Sequence, residues 1–149
     1  MSFQSNLPGV TGPGGPDPQL EWVRPGPGVL GKLAARLGSE ARADELVVAV
    51  MKCLRPSLAA DTWDAIADEL PYALRATLRA PGERPVERAS TRRELFERVG
   101  TLVQHPPARA AFEVAAVFAT LAAALPRALA DAVASDLPAD VAELWRRAR

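Results

Sequence analysis

Residues 64–71 read DAIADELP and residues 131–138 read DAVASDLP. The second stretch repeats the first sixty-seven positions later, and the shift holds well beyond it. It pairs Ala41-Arg42-Ala43 with Ala108-Arg109-Ala110, Val47 with Val114, Val50 with Val117, Leu54 with Leu121 and Leu58 with Leu125. Between 41–78 and 108–145 there are thirteen identities in thirty-eight pairs. Five are Ala on Ala and count for little in an Ala-rich chain, but the apolar matches and the Leu-Pro pair survive that discount. A duplicated unit of this length sets an architecture before any chemistry is considered.

The unit reads as four short helices. Leu30, Leu33, Ala34 and Leu37 share a face over 29–37, and Gly38 suits a left-handed C-cap. Ser39 suits the N-cap of a second helix over about 40–55, with Val47, Val50, Met51 and Leu54 inward and Pro56 breaking it. Asp61 suits the cap of a third helix carrying Trp63, Ile66, Ala67 and Leu70, and Pro71 opens a fourth with Leu74 and Leu78. The second half repeats the order. Thr91 and Glu94 have capping-box spacing and open a fifth helix with Leu95, Phe96, Val99, Leu102 and Val103 inward. His105-Pro106-Pro107 resets the chain before a sixth helix over about 108–125, burying Ala111, Val114, Ala115, Phe118, Leu121 and Leu125. Pro126 and Pro138 open the last two, and Trp63 and Trp145 are core anchors. The match slips by one residue at the first helix, where Leu30 pairs with Phe96 and Leu33 with Val99. The expected fold is therefore all-α: eight short helices in one domain over 29–149, as two tandem four-helix repeats, 29–80 and 91–149. A polar connector over 81–90 joins them, and they pack about a pseudo-two-fold axis, because short helices hide their apolar faces poorly alone.

With 149 residues, nearly half of them apolar, the chain has a core of ordinary size. Its net charge of zero gives no general attraction to nucleic acid or anionic lipid. One cysteine, Cys53, excludes an intrachain disulfide and reads as a small buried hydrophobe. No basic-then-apolar signal opens the chain, and the stretch 110–125 contains Glu113 and is too short and Ala-rich to span a bilayer, so a cytoplasmic protein is expected. Residues 1–28 are dense in Pro and Gly and read as a disordered or extended tail. Within it stands an apolar motif, Leu20-Glu21-Trp22-Val23, which either folds back on the helical body or anchors a partner.

These residues resemble a family. The fifth helix beginning ELFERVG, the Ala-rich helix and the ending DLPADVAELW are similar to the bacterial domain-of-unknown-function family 2267. Phe96, Val99, Leu137, Pro138, Val141, Leu144 and Trp145 carry the match in the second half, and Leu30, Leu33, Leu70, Pro71 and Leu74 in the first. The resemblance covers about residues 29–146 and implies a fold of two tandem helical repeats, with no activity attached.

Chemistry leaves few marks. His105, the one histidine, is expected exposed or capping at the start of a helix, with no second ligand at metal spacing. Asp61, Asp64 and Asp68 read as a cap and a solvated face, and the Gly-rich tail lacks the Lys-Ser/Thr of a phosphate loop. No catalytic residue, cofactor or metal is expected. Arg75, Arg79, Arg88, Arg92, Arg146 and Arg147 form a candidate basic surface, but Glu83, Glu87, Glu94 and Glu97 interleave with its central part, which favours salt-bridged solvation over nucleic-acid binding. The expected function is a non-catalytic helical protein-binding module or adaptor, with an unidentified protein partner and Leu20, Trp22 and Val23 as the docking anchors of its tail. A nucleic-acid-binding regulator is the alternative, as is a small-molecule binder with a pocket between the repeats that includes Tyr72, Arg75 and His105.

Overall fold

A computed structural model describes residues 28–38, 40–80 and 86–149, with the backbone alone for 40–42. Among them are eight α-helices and no strand: α1 (Val29–Leu37), α2 (Glu40–Leu54), α3 (Ala60–Asp68), α4 (Tyr72–Arg79), α5 (Arg92–Val103), α6 (Pro107–Ala124), α7 (Arg127–Asp136) and α8 (Ala139–Ala148). A single 3-10 turn, Arg55–Ser57, follows α2 where Pro56 cannot donate to the helix. The tail through residue 27, Ser39 and residues 81–85 of the connector lie outside the described residues.

Prolines and left-handed turns set most boundaries. Pro71, Pro106, Pro126 and Pro138 each occupy the N-cap of the helix that follows, in extended conformation. Gly38 (φ 80°) closes α1, and Gln104 (φ 61°) closes α5 at the equivalent place, paying for a side chain where the first half uses glycine. The Thr91 hydroxyl accepts from the Glu94 amide at 3.2 Å, while the Glu94 carboxylate accepts from the Ser90 amide at 2.8 Å, a capping box reaching one residue further back than usual. Asp61 does not cap α3. Ala59 holds that place, and the Ala59 amide donates instead to Asp136 Oδ2 of α7 at 2.9 Å, so the cap is supplied from the other half of the chain.

The halves are interleaved. α1 packs on α2 and α6, α5 packs on α6 and α2, α4 packs on α2 and α8 on α6, while α2 meets α6 and α3 meets α7. One core cluster draws on all eight helices. Its centre comprises Val47, Val50 and Met51 of α2 with Val114, Val117 and Phe118 of α6, all fully buried. Trp63 and Trp145 are both buried. The Trp145 indole donates to the Ala130 carbonyl at 3.0 Å and meets the Phe118 ring edge-to-face at 5.3 Å. By length and composition alone α6 is apolar enough to span a bilayer, longer than the stretch 110–125 suggests because it starts at Pro107; its inward face is core. Two inward assignments fail: Leu102 is 44 % exposed, and Ala115 faces solvent.

Two stability outcomes follow. Leu70→Ala and Leu137→Ala each remove a buried side chain and lower unfolding free energy by about 2–5 kcal/mol in denaturant titration. Gly100→Ala reverses the usual gain of about 0.5–1 kcal/mol from replacing a helical glycine. Its Cβ would stand 2.6 Å from the His105 carbonyl oxygen, a backbone atom pinned by the His105 amide donating to Gly100 O at 2.9 Å. The same titration is expected to show a net loss of about 1–3 kcal/mol.

Candidate functional site

The candidate site is an open groove where α2 and α4 of the first half meet the end of α5 in the second. α2 contributes Asp44, Glu45, Val48, Ala49 and Lys52, one face of the helix at i, i+1, i+4, i+5 and i+8. α4 contributes Ala73, Leu74 and Thr77, and α5 contributes Leu102 and Val103. The volume is about 440 Å³, in the range of small-ligand and peptide-side-chain sites. Ala49, Leu74 and Val103 are buried in its floor, and Val48 is half-buried. Leu102 lies one residue off the buried row Leu95–Val99–Val103 and stands on the rim as one of three large exposed hydrophobics among the described residues, with Tyr72 and Phe112. The Thr77 hydroxyl is turned back to the Ala73 carbonyl at 3.0 Å, and Lys52 adds a cation to the lining. At one end Asp44 and Glu45 are exposed, and neither side chain makes an ion pair or hydrogen bond among the described residues.

The arginines singled out from the sequence are mostly engaged with carboxylates or carbonyls. Arg79 pairs with Asp68 at 3.1 Å and Asp64 at 3.9 Å. Arg92 bonds Asp140 through both its amide (2.7 Å) and its guanidinium (3.0 Å), and reaches Glu143 at 3.0 Å. Arg147 also reaches Glu143, at 3.2 Å, and Arg88 donates to the Ser57 hydroxyl at 3.3 Å. Arg75 donates to the Leu70 carbonyl and lies over the Tyr72 ring at 5.9 Å; Arg146 is exposed on α8. Three of the six, Arg79, Arg92 and Arg147, are held beside acids, which makes this a partly salt-bridged surface and a weak footprint for phosphate recognition. Leu20, Trp22 and Val23 lie outside the described residues.

The two reactive residue types are both enclosed. His105 is not exposed: its Nδ1 lies 2.8 Å from Glu113 Oε1, with the side chains 11 % and 5 % accessible, and Arg109 approaches Glu113 Oε2 at 3.6 Å. Glu113 stands where the repeat shift places Leu46 in the first half, a fully buried position, so its charge needs these partners. Cys53 is buried, and that burial pushes its thiol up to about 11 against the opposing pull of Arg98. At neutral pH it carries almost no thiolate. Tyr72, Arg75 and His105 are not among the groove's lining residues.

Sequence reasoning missed the groove because it depends on three helices from two halves meeting. The outward turn of Leu102 is the one signal within the chain itself.

The chain belongs to the family described as uncharacterized conserved protein (DUF2267). The family match spans residues 29–144, all eight helices but for the last residues of α8. It attaches no activity to the fold. No curated protein and no solved structure matches the chain.

The Arg92 amide and guanidinium hold the Asp140 carboxyl below the ordinary 3.8 of an aspartate. Such a group stabilises the fold above its unfolded pKa, and the contribution is lost as pH falls through the folded value. Denaturation midpoints taken in steps below about pH 4 are expected to fall more steeply for the native chain than for Asp140→Asn.

Proposed function

We propose that this protein is a non-catalytic helical binding module, an adaptor, that takes a short apolar peptide segment of a protein partner in the groove between α2, α4 and α5. The observation that carries the reading is an open groove with Ala49, Leu74 and Val103 in its floor, the exposed Leu102 on its rim, and Lys52 with the acids Asp44 and Glu45, unpaired among the described residues, along α2. Peptide recognition of this kind needs side-chain pockets and a polar end that sets direction, and both are present in one place. The enclosure of His105 and the unreactive thiol of Cys53 support a binding role over a catalytic one. The engaged arginines weigh against nucleic acid, and the filled α2–α6 seam against a ligand held between those two helices. The duplicated repeat and the matching neighbours of its helices support two halves packed about a pseudo-two-fold axis. The motif Leu20, Trp22 and Val23 is a second docking element in this reading, and the family's silence on activity leaves a cytoplasmic adaptor open.

Peptide display against the full-length chain tests this. The expected selection is apolar or aromatic residues next to a basic one. Leu102→Glu, on the rim, should leave helicity intact and weaken selected peptides at least about tenfold, as loss of a central hydrophobic contact does. Peptides that bind Leu102→Glu as well as the native chain would sink the assignment of the groove.

A further inference from the structure

We propose that the outward face of α6 is the surface through which two copies of this chain pair about a two-fold axis, with their α6 helices antiparallel. This surface is separate from the groove and does not rest on the peptide-binding reading.

The two halves of the chain supply an internal comparison. The outward arc of α6 carries Ala111, Phe112, Ala115, Ala119, Ala122 and Ala123, at the spacing of one helix face. Under the sixty-seven-residue shift, Ala111, Phe112, Ala119 and Ala122 stand where the first half has Asp44, Glu45, Lys52 and Arg55. These four positions are charged in one half and apolar in the other, and one of them has become an aromatic ring. Phe112 is 65 % exposed, and Ala115 and Ala123 are exposed with it, so nothing among the described residues covers the face. A helix apolar on nearly all sides is ordinarily enclosed, yet only 39 % of α6 is buried.

A second copy fits this face because the face is complementary to itself. Its one bulky side chain, Phe112, lies seven residues, or about two turns, before the small Ala119. An antiparallel two-fold pair can therefore seat each ring over Ala119 of the other copy, and that register brings the two Ala115 side chains together beside the axis. Small residues let the helix axes approach to about 8 Å. The charges agree with the same orientation. α6 has no acid in its first turn and no base in its last, so its own side chains leave its dipole uncompensated. Antiparallel pairing sets each positive end beside a negative one and places Arg109, at the edge of the face, near the second copy's last turn, where a cation is favoured. With a formal net charge of zero, the two chains meet without long-range repulsion.

Sedimentation equilibrium of the full-length chain tests this. A concentration-dependent dimer is expected, weakened at least about tenfold by Phe112→Glu, as loss of a central aromatic contact does. Phe112 is exposed and Glu45 occupies the equivalent place in the first half, so helicity should be unchanged in that variant. Ala115→Cys gives a second readout. Cys53 is buried, with its thiol pushed up to about 11, so the introduced thiol is the one that reacts. Facing Cα atoms in so close a pair fall within the roughly 4.4–6.8 Å that a disulfide spans, so mild oxidation should give a covalent dimer. Tyr72→Cys, exposed on α4, should give none. Leu102→Glu should leave the dimer intact, so this proposal and the groove reading fail separately. A chain that stays monomeric up to about millimolar concentration overturns the proposal. A dimer that Phe112→Glu leaves unchanged, or that Ala115→Cys fails to link, overturns the assignment to α6. Anionic phospholipid vesicles that bind a monomeric native chain, and not Phe112→Glu, overturn it in favour of a lipid surface.

Discussion

Val47, Val50 and Met51 of α2 and Val114, Val117 and Phe118 of α6 are shut away from water, and none of the shorter helices reaches that condition without them. Each half of the chain supplies one long helix to this seam; α1, α4, α5 and α8 pack on it, and α3 and α7 pack on α4, on α8 and on each other. Helices of eight to ten residues, such as α3, α4, α7 and α8, are marginal in water by themselves. They persist because Leu74 and Trp145 bury α4 and α8 against α2 and α6, while Trp63 and Val133 bury α3 and α7 within the same core cluster. The open groove is a by-product of the same packing. Cover over α2 is incomplete where α4 ends and α5 turns away at Gln104.

The polar links differ between positions related by the sixty-seven-residue shift. Where the first half buries Leu46, the second buries Glu113 and surrounds it with His105 and Arg109. Where the first half has Met51 and Leu78, the second has the Phe118–Trp145 pair and an indole hydrogen bond to α7. The N-terminus of α5 is tied to α8 through Arg92 and Asp140, whereas α3 is capped across the halves by Asp136. Such contacts fix which helix lies against which, a geometric specification that interchangeable aliphatic side chains supply less sharply.

What could be read from the chain was what depends on neighbours along it. The rows of Leu and Val at helical spacing, the four prolines at N-caps, the left-handed Gly38 and the Thr91–Glu94 box are local devices, and their residues announce them. The burial of both tryptophans followed from their size and their place on apolar faces. What could not be read depends on the other half. Asp61 was a sound cap by local rules and lost the role to Asp136, which lies 77 residues from the amide it caps. Gln104 adopts a backbone conformation that glycine usually holds, so its residue type gives no warning. Leu102 and Ala115 border the buried rows Leu95–Val99–Val103 and Val114–Val117–Phe118, and apolar type alone does not say that they fall on the outer side of them. The groove belongs to the same class, since α2, α4 and α5 are distant in sequence and each looks complete alone.

The crossing of contacts between halves, α1 on α6 and α5 on α2, has a consequence for how the chain is made. In stacked-repeat proteins the first unit can fold while later ones are still being translated, because each unit touches only its neighbour. Here Leu33, Val47 and Met51 have no complete surroundings until α6 has left the ribosome, by which time most of the chain has been synthesised. Neither half of the chain holds a complete core of its own.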